Sequence, residues 1–213
     1  MTIAVIGANG GIGRRLLSRL ERAGHDAIGV VRSEDQFDAV QDRGAEPRLG
    51  DLEGEFAPAL DGADAVVFTA GAGGSTGWDK TLMVDLWGAR RTIAACEERG
   101  IRRYVMISSR GTADPSSGYE PLRPYLVAKR CADDYVKRSS LDATILRPTS
   151  LTDEDGTGRI AAAFEPAGGG PDIPRADVAR VVVACLANDA TVGHTIELYG
   201  GETPVEEAVH PEE

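Results

Sequence analysis

The chain has 213 residues, 42 % of them hydrophobic, which is enough to fill one ordinary core and fits one domain better than two. Its 34 acidic and 23 basic side chains give a formal charge of -11, which argues against nucleic acid or an anionic membrane surface as a general partner. Cys96, Cys131 and Cys185 are scattered without paired spacing, no histidine cluster stands near them, and no run approaches the roughly 20 apolar residues of a membrane span. Neither a disulfide framework nor a metal site is therefore expected, and with no leader-like N-terminus the expected setting is the cytoplasm.

The first apolar run, residues 2–7, leads directly into "GANGGIGRRLL". Glycine costs backbone entropy, so three of them at the mouth of a helix imply a close approach to the main chain. Gly7 suits the tight turn, Gly10 would admit a pyrophosphate, and Gly13 would let the helix pack on the strand. Asn9, Gly11 and Ile12 complete this turn, and Arg14 is a candidate second phosphate contact. The spacing is G-x-x-G-x-x-G rather than the simplest dinucleotide fingerprint, but its place at the first strand-to-helix junction carries the reading. The following helix shows a stripe of Leu16, Leu17, Leu20 and Ala23.

The second run, 26–32, ends in Arg32, where an NAD-selective site commonly has an acid. A guanidinium there suits a 2′-phosphate, so NADP(H) is the favoured cofactor and NAD(H) the second choice; the alternative is a surface arginine paired with Glu34 or Asp35. After the third run, 45–49, Asp51 and Leu52 can meet the adenine. After the fourth, 64–70, the small residues Ala70, Gly71 and Ala72 leave room for the cofactor backbone. Trp87, Ala89, Ile93, Ala94 and Cys96 form the stripe of the next helix. The fifth run, 102–109, ends in Ser108 and Ser109, and "YLVAK" then places Tyr125 and Lys129 on one helix face. The sixth run is 142–148 and the last 194–200. Apolar runs joined by helices predict an α/β fold, a Rossmann-type doubly wound parallel sheet with helices on both faces. Residues 149–175, crowded with Gly and Pro, predict a loop-rich substrate region with one short strand at 159–164 and loops that could form a lid. A helix at 176–187 closes a domain spanning 1–205, and 206–213 reads as a small helix and an acidic tail. His25, His194 and His210 are expected to be structural or solvent-facing.

With these motifs in order, the chain resembles the atypical, extended-like branch of the short-chain dehydrogenase/reductase superfamily, related to nucleotide-sugar epimerases and NmrA-like proteins. The resemblance covers residues 2–205 and rests on "GANGGIG", "GDL", "VDLWGARRTIAACEERGIRRYVMISSRG", "YLVAK", "LRPTSL" and "IPRADVA". It implies that Tyr125 is the general acid/base and that Lys129 stabilises its phenolate and bonds the nicotinamide ribose, since a free phenol of pKa ~10 is too weak a base at neutral pH. It further implies that Ser109 or Ser108 bonds the reacting carbonyl, with Thr112 as fallback, and that Pro148 and Thr149 line the nicotinamide side. Arg175 is expected either near the substrate mouth, or in a pair with Asp177 or a role at a helix start. The expected activity is reduction or oxidation of a small carbonyl, alcohol or quinone-like molecule by a monomer or homodimer. The alternatives are an epimerase or dehydratase of nucleotide sugars, for which the region after Thr149 is short, and a cofactor-sensing protein without turnover.

Overall fold

The computed structural model describes residues 1–74, 76–164, 166 and 169–211. Its strands are β1 (Thr2–Ile6), β2 (Asp26–Val31), β3 (Glu46–Leu49), β4 (Ala65–Phe68), β5 (Arg103–Ile107), β6 (Asp142–Pro148), β7 (Leu151–Thr152), β8 (Arg159–Ala163), β9 (Ile173–Pro174), β10 (Thr195–Gly200) and β11 (Thr203–Pro204). The α-helices are α1 (Gly11–Arg22), α2 (Phe37–Gln41), α3 (Trp78–Lys80), α4 (Ala89–Arg99), α5 (Arg123–Arg138), α6 (Arg175–Leu186) and α7 (Val205–Ala208), with a π-helical segment, Thr81–Gly88, between α3 and α4.

Nine strands form one sheet in the order β11-β8-β10-β6-β5-β4-β1-β2-β3. All neighbours from β3 to β10 run parallel, whereas β8 pairs antiparallel with β10 and β11. The chain moves outward from β1 through β2 to β3, then returns to the other side of β1 with β4. That reversal opens a crevice at the carboxyl ends of β1 and β4, where sheets of this kind bind ligands.

Alternation along each strand divides the core in two. Ile3 and Val5 of β1 face α1 and α6 with Leu16, Leu17, Val178 and Val182; Ala4 and Ile6 face the other way, with Phe68, Ile93, Cys96 and Ala132. A strand buried on both faces must be apolar throughout, which explains why these strands appear as unbroken runs.

The helical stripes differ from those the sequence suggests. Leu16, Leu17 and Leu20 are buried, but Ala23 is the exposed C-cap of α1. On α4 the buried set is Ala89, Thr92, Ile93, Ala95 and Cys96, while Trp87 and Ala94 are exposed. At 3.6 residues per turn Trp87 lies on the same face as exposed Ala94 and opposite buried Cys96, so the buried stripe passes it by. The short strand expected at 159–164 is β8. The packed chain runs past 205, because Val205 and Val209 are both in the core; of the expected tail, Glu212 and Glu213 lie outside the described residues, as do Glu165, Ala167 and Gly168 of the loop-rich segment. Among the described residues no helix is long and apolar enough to cross a membrane.

Candidate active site

The glycine turn sits in the crevice at the end of β1. Gly7 has φ +84°, and a Cβ there would lie 2.7 Å from the backbone of Ala70, so only glycine lets β1 exit this close to the loop after β4. Gly10 donates its N–H to the Gly7 carbonyl (2.9 Å) and caps α1 with extended backbone and no side-chain hydrogen bond. Gly13 lies against the carbonyls of Gly7 and Ala8, where any side chain would force the helix off the strand. The first turn of α1 has no acidic residue. Its amides and the positive end of its dipole therefore meet no fixed negative charge within the helix.

A cavity of about 340 Å³ opens beside this turn, lined by Gly7, Asn9, Gly10, Arg32, Asp51, Leu52, Ala70, Gly71 and Ala72 of the expected set. Gln36, Thr76 and Lys80 also line it and carry no motif that would have singled them out. Arg32 is exposed and makes no hydrogen bond or ion pair among the described residues, with neither Glu34 nor Asp35 claiming it. Gly11, Ile12 and Gly13 lie off this cavity: Ile12 belongs to the core, and Gly11 lies beneath the Arg175 side chain. Arg14 donates from Nε to Asn9 Oδ1 (2.7 Å).

The second group of residues gathers at the end of β5. Tyr125, in the first turn of α5, is half-buried, and Lys129 one turn later is buried. Lys129 Nζ donates to the Ile107 carbonyl (2.8 Å) and lies 3.8 Å from Asp85 Oδ1. Asp85 was not singled out in the sequence. From the π-helical segment it accepts the Ala72 N–H (3.0 Å), so one carboxylate joins the cavity loop to the lysine of α5. Burial pushes its carboxyl above the ordinary range, and the Lys129 ammonium pulls it part of the way back.

The hydroxyl groups differ in commitment. Thr112 is buried and donates to the Ser109 carbonyl (2.9 Å), with Asp133 at 3.2 Å. Ser109 Oγ donates to the neighbouring Arg110 carbonyl (3.1 Å). Ser108 is buried with Oγ unpartnered among the described residues. Pro148 and Thr149 are buried at the end of β6, where the Arg110 N–H donates to the Pro148 carbonyl (2.9 Å) and the Thr149 N–H to Leu198 (2.9 Å). Beneath them Arg147 donates from two nitrogens to Asp133 Oδ2 (3.0 and 2.9 Å), another buried pair the sequence did not reveal. Arg175 does not pair with Asp177. It sits 3.1 Å from Asp153, while Asp177 accepts the N–H groups of Thr157 (2.9 Å) and Gly158 (2.8 Å).

The residues present fit a dinucleotide on two structural grounds: the Gly7 cradle that a Cβ would fill, and the Ser108 hydroxyl, orphaned among the described residues, at the end of β5 on the far side of β4. Fold and crevice together define a nucleotide-binding α/β protein of Rossmann type. The chain matches the model of the NAD(P)H-binding family over residues 7–189 and belongs to that family. It is 43 % identical to the uncharacterized sugar epimerase YhfK of Bacillus subtilis, covering 98 % of this chain and 99 % of that one. A solved structure named for an NAD-dependent epimerase/dehydratase of Bacillus halodurans is 45 % identical, with TM-score 0.96 and 98 % of each chain covered. The oxidoreductase ylbE of Lactococcus lactis is 28 % identical, with TM-score 0.87, covering 98 % of this chain and 95 % of that one.

Proposed function

We propose that the protein is a cytoplasmic NADP(H)-dependent oxidoreductase acting on a small carbonyl, alcohol or quinone-like substrate, with NAD(H) as the weaker cofactor. The observation that carries this reading is the unpartnered Arg32 at the rim of a cavity floored by the glycine turn. A guanidinium offers a 2′-phosphate two parallel charge-assisted bonds. Gly7, Asn9 and Gly10 hold the diphosphate, to which Gly11 and Ile12, off the cavity, offer only their first-turn backbone amides, with Gly13 fixing the helix beneath; Asp51 and Leu52 take the adenine, and Ala70, Gly71 and Ala72 make room between them. Pro148, Thr149, Ser108, Tyr125 and Lys129 hold the redox end. When bound, the nicotinamide supplies or accepts a hydride.

Tyr125 gives a proton to the substrate oxygen in reduction and removes it in oxidation. Lys129, fixed by the Ile107 carbonyl and Asp85, presents positive charge to that phenol and to the ribose. Ser108, whose hydroxyl has no internal partner, bonds the reacting carbonyl, with Ser109 as the alternative donor. The names of the Bacillus relatives favour a second reading, epimerisation or dehydration of a sugar, in which the same residues act and the cofactor is restored.

Fluorescence titration with NADPH and NADH and a panel of carbonyl substrates test this. Arg32→Ala should weaken NADPH by about 1–3 kcal/mol and leave NADH nearly unchanged; an equal loss for both removes the 2′-phosphate role. Tyr125→Phe should keep NADPH affinity and abolish turnover. Turnover of a sugar nucleotide without net cofactor oxidation would select the second reading, and a wild type inert throughout the panel would point to a sensor.

A further inference from the structure

Two arginines and one aspartate meet over the first residue of α1, outside the cavity already described. A Cβ on Gly11 would lie 2.7 Å from Arg175 Cδ and 3.0 Å from its Nε, so the Arg175 side chain lies across the helix start. Arg15 donates to the Gly11 carbonyl (2.8 Å) and to Asp153 Oδ1 (3.2 Å). Arg175 lies 3.1 Å from Asp153 Oδ2 and donates to the Leu151 carbonyl (3.3 Å). The placement follows from the small sheet: Leu151 pairs with Ile173 and Thr152 with Pro174, and Asp153 and Arg175 are the next residues of each segment.

We propose that Arg175, with Arg15 beside it, is a contact for the diphosphate bridge of the dinucleotide, and that Asp153 is the carboxylate this bridge displaces. Cofactor binding and the position of the segment after β7 are thereby coupled. The inference rests on the reading of the crevice as a dinucleotide site. One carboxylate, 73 % exposed, serves two guanidinium groups at the positive end of a helix with no acid in its first turn and no side-chain cap. The local charge is therefore incompletely matched. Ion pairs of this exposure are weak and screened, so Asp153 holds the arginines loosely. A diphosphate carries more charge than a carboxylate, offers oxygens to both guanidinium groups at once, and also meets the first-turn amides. Arg14 is engaged with Asn9. Once released, Asp153 has no further hold on α1, and residues 153–156 are then held only at their ends, by the pairing of β7 with β9 and by the Asp177 bonds to Thr157 and Gly158.

NADPH and NADH titrations of Arg175→Ala, Arg175→Lys and Asp153→Asn, with amide hydrogen exchange over residues 152–158, test this. Arg175→Ala should weaken both dinucleotides by the same factor, about tenfold or more, because the diphosphate is common to them. That differs from the selective effect of Arg32→Ala. Arg175→Lys, which keeps the charge and most of the stem, should fall between. Asp153→Asn should tighten both a few-fold. Adding NADPH should speed exchange in 153–156 of the wild type, leave the Asp177-bonded amides of Thr157 and Gly158 unchanged, and change little in Asp153→Asn. Unchanged affinity in Arg175→Ala, with the wild type binding normally, overturns this proposal and leaves the dinucleotide reading intact; so does weaker binding in Asp153→Asn. A wild type that binds neither dinucleotide overturns both.

Discussion

Asp85 shows how much of a site can hang on one side chain. It is an acid within the apolar run "LMVDLWG", buried against Ala72 and Lys129. Desolvation raises its carboxyl in the folded state, so the native protein binds this proton more tightly than the unfolded chain. The contribution is therefore full below the ordinary carboxylate range and is lost as pH rises through the elevated value. Asp85→Asn removes that dependence. Urea midpoints measured from pH 4 to 7 should shift in favour of the variant, relative to wild type, as pH rises; a constant difference would show that Asp85 titrates normally. The glycines were legible because a turn geometry restricts residue type at each position, and Gly7 and Gly13 sit where a side chain has no room. Asp85 was not legible, because its meaning depends on a lysine of another helix that only the fold brings near.

Among the elements, α5 carries the most. Tyr125, Lys129 and Asp133 follow one another at intervals of four, so one face of this helix bears the phenol, the ammonium and a carboxylate fully removed from solvent. Asp133 takes two hydrogen bonds from Arg147, the residue before Pro148, and meets Thr112 of the loop after β5. It thus ties the three segments that end at the site. Asp133→Ala leaves the Arg147 guanidinium buried and unpaired, which costs about 3–5 kcal/mol. Replacing both partners, as in Asp133→Leu with Arg147→Met, should recover most of that loss, read as a double-mutant cycle of urea midpoints. Additive losses would mean the pair is not coupled. The strands were legible as apolar runs, since burial on both faces leaves little choice of residue. In the helix before β5 the exposure of Trp87 and Ala94 was not legible, because their apolar character drew them into the stripe, whereas at 3.6 residues per turn the two share the face opposite Cys96.

At the scale of the whole molecule, the parallel body from β3 to β6 follows from periodicity, but the far edge does not. β7, β9 and β11 are two-residue strands, too short to show any period, and β8 reverses direction beside β10. This edge also uses the last part of the chain. Pro204, which cannot donate to a ladder, sits at the outer strand, the Val205 N–H reaches the Gly158 carbonyl (3.1 Å), and Val205 and Val209 fill the core against α6 and β8. The segment that closes the sheet therefore anchors the loop carrying Asp153 to Gly158. Deleting residues 203–213 exposes the edge of β8 and removes two buried valines, each worth ~1.5–3 kcal/mol, for a total of about 3–6 kcal/mol. For a chain of this size that lowers Tm by roughly 6–24 °C. Deleting only residues 210–213, which keeps both Val205 and Val209 and gives up the exposed Asn188–His210 contact, should leave Tm within about 2 °C of wild type, a change of about 0.5 kcal/mol. Equal melting of both truncations in a calorimeter would show that the packed body ends near residue 202.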